Sequence, residues 1–337
     1  MQYNGHAKVQ HYVPQFLLKN FGKGKNSSVF VYDKQLQKSY KTNTRNIAGE
    51  SKFYDFDLNL GSVHLKGSIE EKLSEIESNA NKALKKIINT DSISKIDDLD
   101  KKNISIFLTV QVARTKNLKV NYDTSVESLK KVIQRMNCSS ESLRELELSN
   151  EEKKFYFDKF IVEESQRLAS LFYNRIWILA KNDTKIPFCI GDDPVVYYNE
   201  FENKFDSSFL NPHGLGIVGT MVYLPITPTH LLYLFCPEKA KEIIKTIELI
   251  KHLILYCPQL YDDIEIRKKL KANKRIYDCL LNNMTVLFNE NQVKHINSLE
   301  AISAERFIIS SNNDFNFIKE VLDKSEHKYH GKRMELL

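Results

Sequence analysis

The spacing of hydrophobic positions changes along the chain and divides it into four blocks. Residues 1–60 predict a short helix and a β-hairpin, since VPQFLLKNF is followed by glycines and two short β-prone runs. Residues 68–174 carry apolar positions at three- and four-residue steps, which predicts helices. Residues 175–236 hold β-branched and aromatic runs typical of a buried sheet, and 238–310 predict further helices and a closing strand.

Strands and helices in separate blocks favour an α+β fold. We expect a helical N-terminal half packed with a mostly antiparallel sheet, in one intertwined domain that spans residues 1–324. The polar stretch 325–337 is expected to fray, because it offers little apolar surface to hold it down.

Composition narrows the class of protein. With 42% hydrophobic and 27% charged residues, the chain is typical of a folded globular protein. The most apolar stretch, 217–236, has no formal charge, but Pro225 and Pro228 divide it into runs too short to span a bilayer. Five cysteines with no CxxC spacing indicate reduced, buried thiols. The sequence therefore predicts a cytoplasmic protein with no membrane segment.

Positive charge is concentrated at the N-terminus. Residues 1–60 contain nine Lys or Arg against four acidic residues, which accounts for +5 of the net charge of +6. Such an asymmetry is compatible with an anionic partner such as nucleic acid. A solvated lysine-rich surface is the other interpretation, since no known nucleic-acid-binding module is visible.

Several spaced motifs point to a known family. They are, in chain order, KVQHYVPQFLLKNFG, FYDFD, QVART, FCIGDDPVV, YLPITP and INSLEAISAERFIIS. In this order they resemble the domain-of-unknown-function family numbered 4238 over most of the chain. The chain departs from that pattern at Gly191, where the family usually has a hydroxyl residue, and at Asp193, where it usually has Asn. The resemblance implies a fold and no particular chemistry.

The GDDP turn is the strongest candidate for a site. Asp192 and Asp193 follow an apolar strand, where carboxylates commonly line clefts and can hold a divalent cation or activate water. We expect Asp192 to be the functional member, because the family pattern requires an acid there. The alternative is an Asx turn, in which the carboxylate caps nearby backbone N–H groups.

Two further groups of polar residues can also be interpreted either as functional or as structural. His11 precedes a helix, whose dipole favours a neutral imidazole suited to a base or a metal ligand, or the ring bonds a nearby carbonyl. Gln111 and Arg114 share one helix face, and Arg114 can bind a substrate phosphate or pair with an acid such as Asp192 or Glu77. The C-terminal motif adds two candidate substrate-binding residues, Asn297 and Arg306.

These residues lead to two hypotheses about function. The first is a bacterial metal-dependent hydrolase or nuclease that acts on nucleic acid, in phage defence or a toxin-like role. Asp192 and His11 would be catalytic and would hold Mg²⁺ or Mn²⁺, with no other cofactor. The second is a non-catalytic ligand- or protein-binding sensor or partner protein. A further possibility is that His11, Arg114 and Asp192 form a buried structural network.

Overall fold

The computed structural model describes residues 9–24, 27–60, 63–121, 124, 149–199, 215–282 and 285–331. Within this part of the chain the fold is α+β, as predicted. The stretch 125–148 of the predicted helical block and the end of the tail, 332–337, lie outside the described residues.

The N-terminal region is built from short strands around one short helix. Leu17 and Leu18 of that helix are fully buried, which anchors the segment to the core. β1 pairs with β4, β2 with β3, and β5 with β6, all antiparallel. The elements are β1 (Val9–His11), α1 (Gln15–Lys19), β2 (Ser28–Asp33), β3 (Lys38–Asn43), β4 (Gly49–Ser51), β5 (Asp55–Leu60) and β6 (Val63–Ser68).

A layer of helices follows, with its apolar stripe turned to the core. In the first long helix Leu73, Ala80, Leu84 and Ile87 are buried, which confirms the helical spacing read from the sequence. The elements are α2 (Glu70–Thr90), α3 (Asp98–Ala113), α4 (Asn150–Leu168) and α5 (Ser170–Tyr173).

Two larger sheets form the second half. The five-stranded sheet has the order β12-β7-β11-β10-β9 and is antiparallel except for the β12–β7 pair. The four-stranded sheet, β3-β2-β13-β8, joins strands that lie far apart in the chain. The strands are β7 (Ile176–Asn182), β8 (Ile190–Gly191), β9 (Val196–Tyr198), β10 (Met221–Thr227), β11 (His230–Phe235), β12 (Val286–Phe288) and β13 (Phe307–Ser310).

The C-terminal helices close the fold. They are α6 (Pro237–Tyr256), α7 (Ile264–Asn282), α8 (Glu290–Ser303) and α9 (Asn316–Asp323). No helix among the described residues is long and apolar enough to cross a membrane.

The beginning of the expected frayed tail is docked on the body. Lys34 Nζ donates to the backbone oxygen of His330 at 2.9 Å, and Gly331 N donates to Glu305 Oε2 at 3.1 Å. Residues 325–331 thus differ from the expectation of fraying. Buried hydrogen bonds to main-chain groups hold them, and a pattern of apolar positions carries no sign of such bonds.

Candidate functional site

Arg114 is the centre of a buried polar network. Its side chain is fully buried, and Nη1 donates to Glu77 Oε1 at 2.6 Å. Nε and Nη2 donate to Gln111 Oε1 at 3.0 and 2.7 Å, and Gln111 Nε2 donates to the backbone oxygen of Tyr12 at 3.0 Å. Burial opposes the charge, but Glu77, Tyr54 and Glu70 together outweigh it, and the pKa of Arg114 is raised. Of the alternatives, the structure shows the ion pair with Glu77.

His11 lies beside this network and is half-buried. Its Nε2 is 3.2 Å from the backbone oxygen of Arg45. A carbonyl only accepts, so Nε2 carries the proton and Nδ1 the lone pair in the neutral ring. Burial lowers the pKa of His11, which keeps the ring neutral at pH 7. The imidazole therefore bonds to a backbone carbonyl, which was one of the two interpretations of His11.

Asp192 binds main-chain amides at the start of β13. Its Oδ1 accepts from Glu305 N at 2.7 Å, and its Oδ2 accepts from Arg306 N at 3.0 Å and from Phe307 N at 3.1 Å. The side chain is buried, and burial raises the pKa of Asp192 to about 6 in spite of these donors. The carboxylate thus fastens the GDDP turn to a segment more than 110 residues away.

A second acid, missed from the sequence, completes this junction. Glu300 is fully buried and its Oε2 accepts from Gly191 N at 2.7 Å. A Cβ at position 191 would lie 3.0 Å from the backbone oxygen of Glu300, so the close approach of α8 explains the glycine there. Asp193 Oδ2 accepts from Asn117 and Ser303, and burial raises the pKa of Asp193 to about 7. The signal for Glu300 was its place inside the C-terminal motif.

Asn297 and Arg306 each hold one strand of the four-stranded sheet. Asn297 Oδ1 accepts from Cys189 N, and its Nδ2 donates to the backbone oxygen of Pro187, both at 2.9 Å. Arg306 donates through Nε and Nη2 to Asp33 Oδ2 at 3.0 and 2.8 Å.

Most of the predicted residues lie close enough to His11 or Tyr12 for their charges to act there, or bond to this segment directly. The charges of Glu77 and Arg114 act on the imidazole of His11. Burial, and next the charge of Asp192, raises the pKa of Tyr12. Asn297 instead binds Cys189 and Pro187. In the described ranges no group of three His, Cys, Asp or Glu side chains is arranged to hold a metal ion. Catalysis by Asp192 and His11 stays a prediction.

A separate cleft opens between α2, α3 and α4. It holds about 140 Å³ of space open to water-sized molecules. Asn79 and Asn103 are half-buried, and neither carboxamide bonds to any part of the chain that the structure describes. The predicted site residues do not line this cleft. In the sequence, the signal for it is a polar residue three positions from an apolar one on a helix, as with Asn79 after Ile76 and Asn103 before Ile106. The lining residues are Lys72, Glu75, Ile76, Asn79, Asn103, Ile106, Val162 and Ser165.

A family model shows which proteins the chain is related to. A family model described as a protein of unknown function, DUF4238, matches residues 9–314. The chain belongs to this family. The DUF4238 match spans the Arg114 network, the GDDP junction and the helices that line the cleft. No curated protein and no solved structure matches the chain.

Proposed function

We propose that this DUF4238 protein is a non-catalytic binding protein that takes a small neutral ligand into the cleft between α2, α3 and α4. The observation that carries the proposal is the pair of carboxamides, Asn79 and Asn103, which face this space without a partner among the described residues. Ligand sites commonly combine an apolar wall with a few polar groups that fix orientation.

The lining defines the chemistry of the ligand. Ile76, Ile106 and Val162 supply an apolar surface against which a flat ring can pack. Each carboxamide offers two N–H donors and one oxygen acceptor, which suits an amide or the edge of a heterocyclic base. At the rim Lys72 Nζ lies 3.5 Å from Glu75 Oε2, and this pair leaves the rim without net charge. The cleft therefore favours an uncharged ligand.

The contacts of the motif residues favour binding over hydrolysis. Both carboxylate oxygens of Asp192 accept from backbone amides, so a metal ion or a water would have to compete with them. The neutral imidazole of His11, whose Nδ1 carries the lone pair, is the observation that favours the hydrolase hypothesis. That hypothesis stays the second candidate function.

Calorimetric titration with adenosine, uridine and nicotinamide tests the proposal. We expect at least one of them to bind saturably. Asn79→Leu or Asn103→Leu, which keeps the side-chain shape but removes the polar groups, should weaken binding roughly five- to tenfold for each hydrogen bond lost. Asn81→Leu is the matched control, since Asn81 also has no partner in the described chain but points away from the cleft.

Three results would overturn the proposal. The first is the absence of saturable binding of all three compounds at millimolar concentration. The second is an equal loss of affinity in the Asn81→Leu control. The third is cleavage of DNA or RNA with Mg²⁺ or Mn²⁺ that is abolished in a folded His11→Gln variant, which would establish the hydrolase instead.

A further inference from the structure

The α6–α7 hairpin, residues 237–282, contacts the body of the protein mainly at its base, where Ala240 and Cys279 join the core beside the five-stranded sheet. Of the twenty residues of α6, only Ala240 and Ile247 are buried. α6 packs mainly against α7 and against the 3-10 turn Pro258–Asp262 that joins them. Most of its apolar side chains therefore face solvent or the hairpin partner, which is unusual for a helix of this length in a folded protein.

The outer surface of the hairpin carries large exposed apolar side chains. Leu255 and Tyr256 are each 78% exposed. Leu249, Leu253 and Tyr256 follow at helical spacing and share one face of α6. Together the set exposes on the order of several hundred Å² of apolar surface, which marks an interaction site. The set consists of Leu249, Leu253, Leu255, Tyr256, Tyr261 and Ile264.

An acidic segment and a basic segment follow one another along this surface, and within α7 Lys268 Nζ lies 3.0 Å from Glu265 Oε1. The turn is acidic, with exposed Asp262, Asp263 and Glu265. The first turns of α7 are basic, with exposed residues Arg267, Lys268, Lys271 and Lys274. An acidic turn beside the apolar residues disfavours an anionic lipid surface or nucleic acid. Two hairpins that lie side by side in opposite directions would instead place each acidic turn against the basic helix of the other.

We propose that the α6–α7 hairpin docks against the same hairpin of a second copy of this chain, in a two-fold symmetric dimer. A two-fold interface needs one surface that is complementary to itself, and an acidic segment with a basic segment meets this condition. The apolar area approaches that of a standard interface, which buries about 800 Å² on each partner. This inference is independent of ligand binding in the cleft.

Sedimentation velocity on the full chain tests the dimer. We expect a dimer that dissociates on dilution from hundreds of micromolar to micromolar concentration. The double variant Leu253→Ser, Tyr256→Ser should weaken association at least tenfold, because it removes two central apolar contacts. Leu36→Ser is the matched control, since Leu36 is 56% exposed but lies on the β2–β3 turn, and it should leave association unchanged.

A charge-swap experiment distinguishes the proposed dimer from a dimer formed through another surface. The variant Asp262→Lys, Glu265→Lys makes the turn basic, and the variant Lys268→Glu, Lys271→Glu makes the helix acidic. Each alone should be monomeric, because like charges then face one another, and an equimolar mixture should form a dimer again. Circular dichroism confirms that each variant is folded.

Three outcomes would overturn the inference. The first is a wild-type chain that stays monomeric throughout the concentration range. The second is a dimer that persists in the folded apolar and charge variants. The third is a pair of charge variants whose equimolar mixture does not associate.

Discussion

At the scale of single residues, the buried guanidinium of Arg114 predicts the largest effect of a substitution. Arg114→Leu removes the donors that face Glu77 and Gln111. We expect a loss of about 3–5 kcal/mol in the free energy of unfolding, since breaking a buried pair leaves its partner unpaired. Urea unfolding followed by circular dichroism measures it.

An exposed ion pair provides the comparison for Arg114. Lys66 Nζ lies 3.1 Å from Asp57 Oδ2, and the two side chains are 67% and 49% exposed. Lys66→Leu should therefore change the urea midpoint little. Equal destabilisation by both substitutions would show that burial of the Arg114 pair has no special importance.

Unlike Arg114→Leu, the substitution of Asp158 is expected to stabilise the protein at neutral and higher pH. It is 2% exposed, its Oδ2 has no hydrogen-bond partner among the described residues, and burial raises its pKa to about 8. The folded state holds the proton, whereas the unfolded carboxyl releases it near its ordinary value of 3.8. Asp158→Asn, which has no proton to release, should therefore stabilise the protein by about 2–4 kcal/mol near pH 8.

The same substitution supplies its own control at low pH. Near pH 4 Asp158 is neutral in the folded state and partly protonated in the unfolded chain, so the linked cost is small and Asn and Asp should give similar stabilities. Urea unfolding of both proteins at the two pH values measures the difference. A constant difference between them would mean that Asp158 does not take up a proton on folding.

At the scale of elements, Asn297 substitutes for a neighbouring strand. Its carboxamide accepts from Cys189 N and donates to Pro187 O, which reproduces the donor and acceptor pattern of a β-ladder. In Asn297→Leu the amide of Cys189 should exchange with deuterium roughly fivefold faster, because about 1 kcal/mol of local hydrogen bonding is lost. Hydrogen exchange followed by NMR measures this rate.

The adjacent amide of Phe188 is the internal control. Phe188 N donates to the backbone oxygen of Pro228 at 2.9 Å, a bond that Asn297 does not make. Its exchange should stay slow in the variant. Acceleration at both amides would indicate that the whole segment opens and that Asn297 does not act locally.

The sequence predicts elements better than it predicts their partners. Helical spacing placed α2 correctly but did not show how the helix begins: Ser68 ends β6, and its Oγ accepts from Glu70 N. Spacing also has no information on pairing, so the ladder between β2 and β13 could not be foreseen.

The candidate residues show the same limit. The cost of burying a charge indicated that Arg114 needs an acid, and Glu77 was among the alternatives. The three amides that bind Asp192 lie more than 110 residues away and have no side-chain signature. The sequence therefore identified polar groups that need partners, and only the fold supplies those partners.

At the scale of the whole molecule, the buried carboxyls make folding dependent on pH. Several have a raised pKa, with burial as the largest cause in each. Because the folded state then binds more protons than the unfolded chain, the free energy of unfolding falls as pH rises from about 4 to 8. These groups are Glu70 (pKa about 7), Asp158 (about 8), Asp192 (about 6), Asp193 (about 7) and Glu300 (raised well above its ordinary value).

Groups with a lowered pKa make the free energy of unfolding increase with pH, but they act mostly in another pH range. The hydrogen bond from Lys181, followed by that from His230, lowers the pKa of Asp91, so its contribution is lost only below about pH 4. His11 does oppose the carboxyls, since its lowered pKa makes stability increase with pH up to about its ordinary 6.5. Because His11 is one group and the carboxyls are several, the carboxyls determine whether the free energy of unfolding rises or falls with pH.

Urea unfolding of the wild-type protein at intervals between about pH 5 and pH 8 should therefore show a steady fall in the free energy of unfolding. Asp158→Asn should make the fall less steep, because it removes one of the protons taken up on folding. Glu152 is the matched comparison for that substitution, since the Ser149 backbone amide lowers its pKa at the surface, and Glu152→Gln should leave the slope in this range unchanged. A free energy that stays level or rises with pH would mean that these carboxyls are ionised in the folded protein, each with a partner that balances its charge.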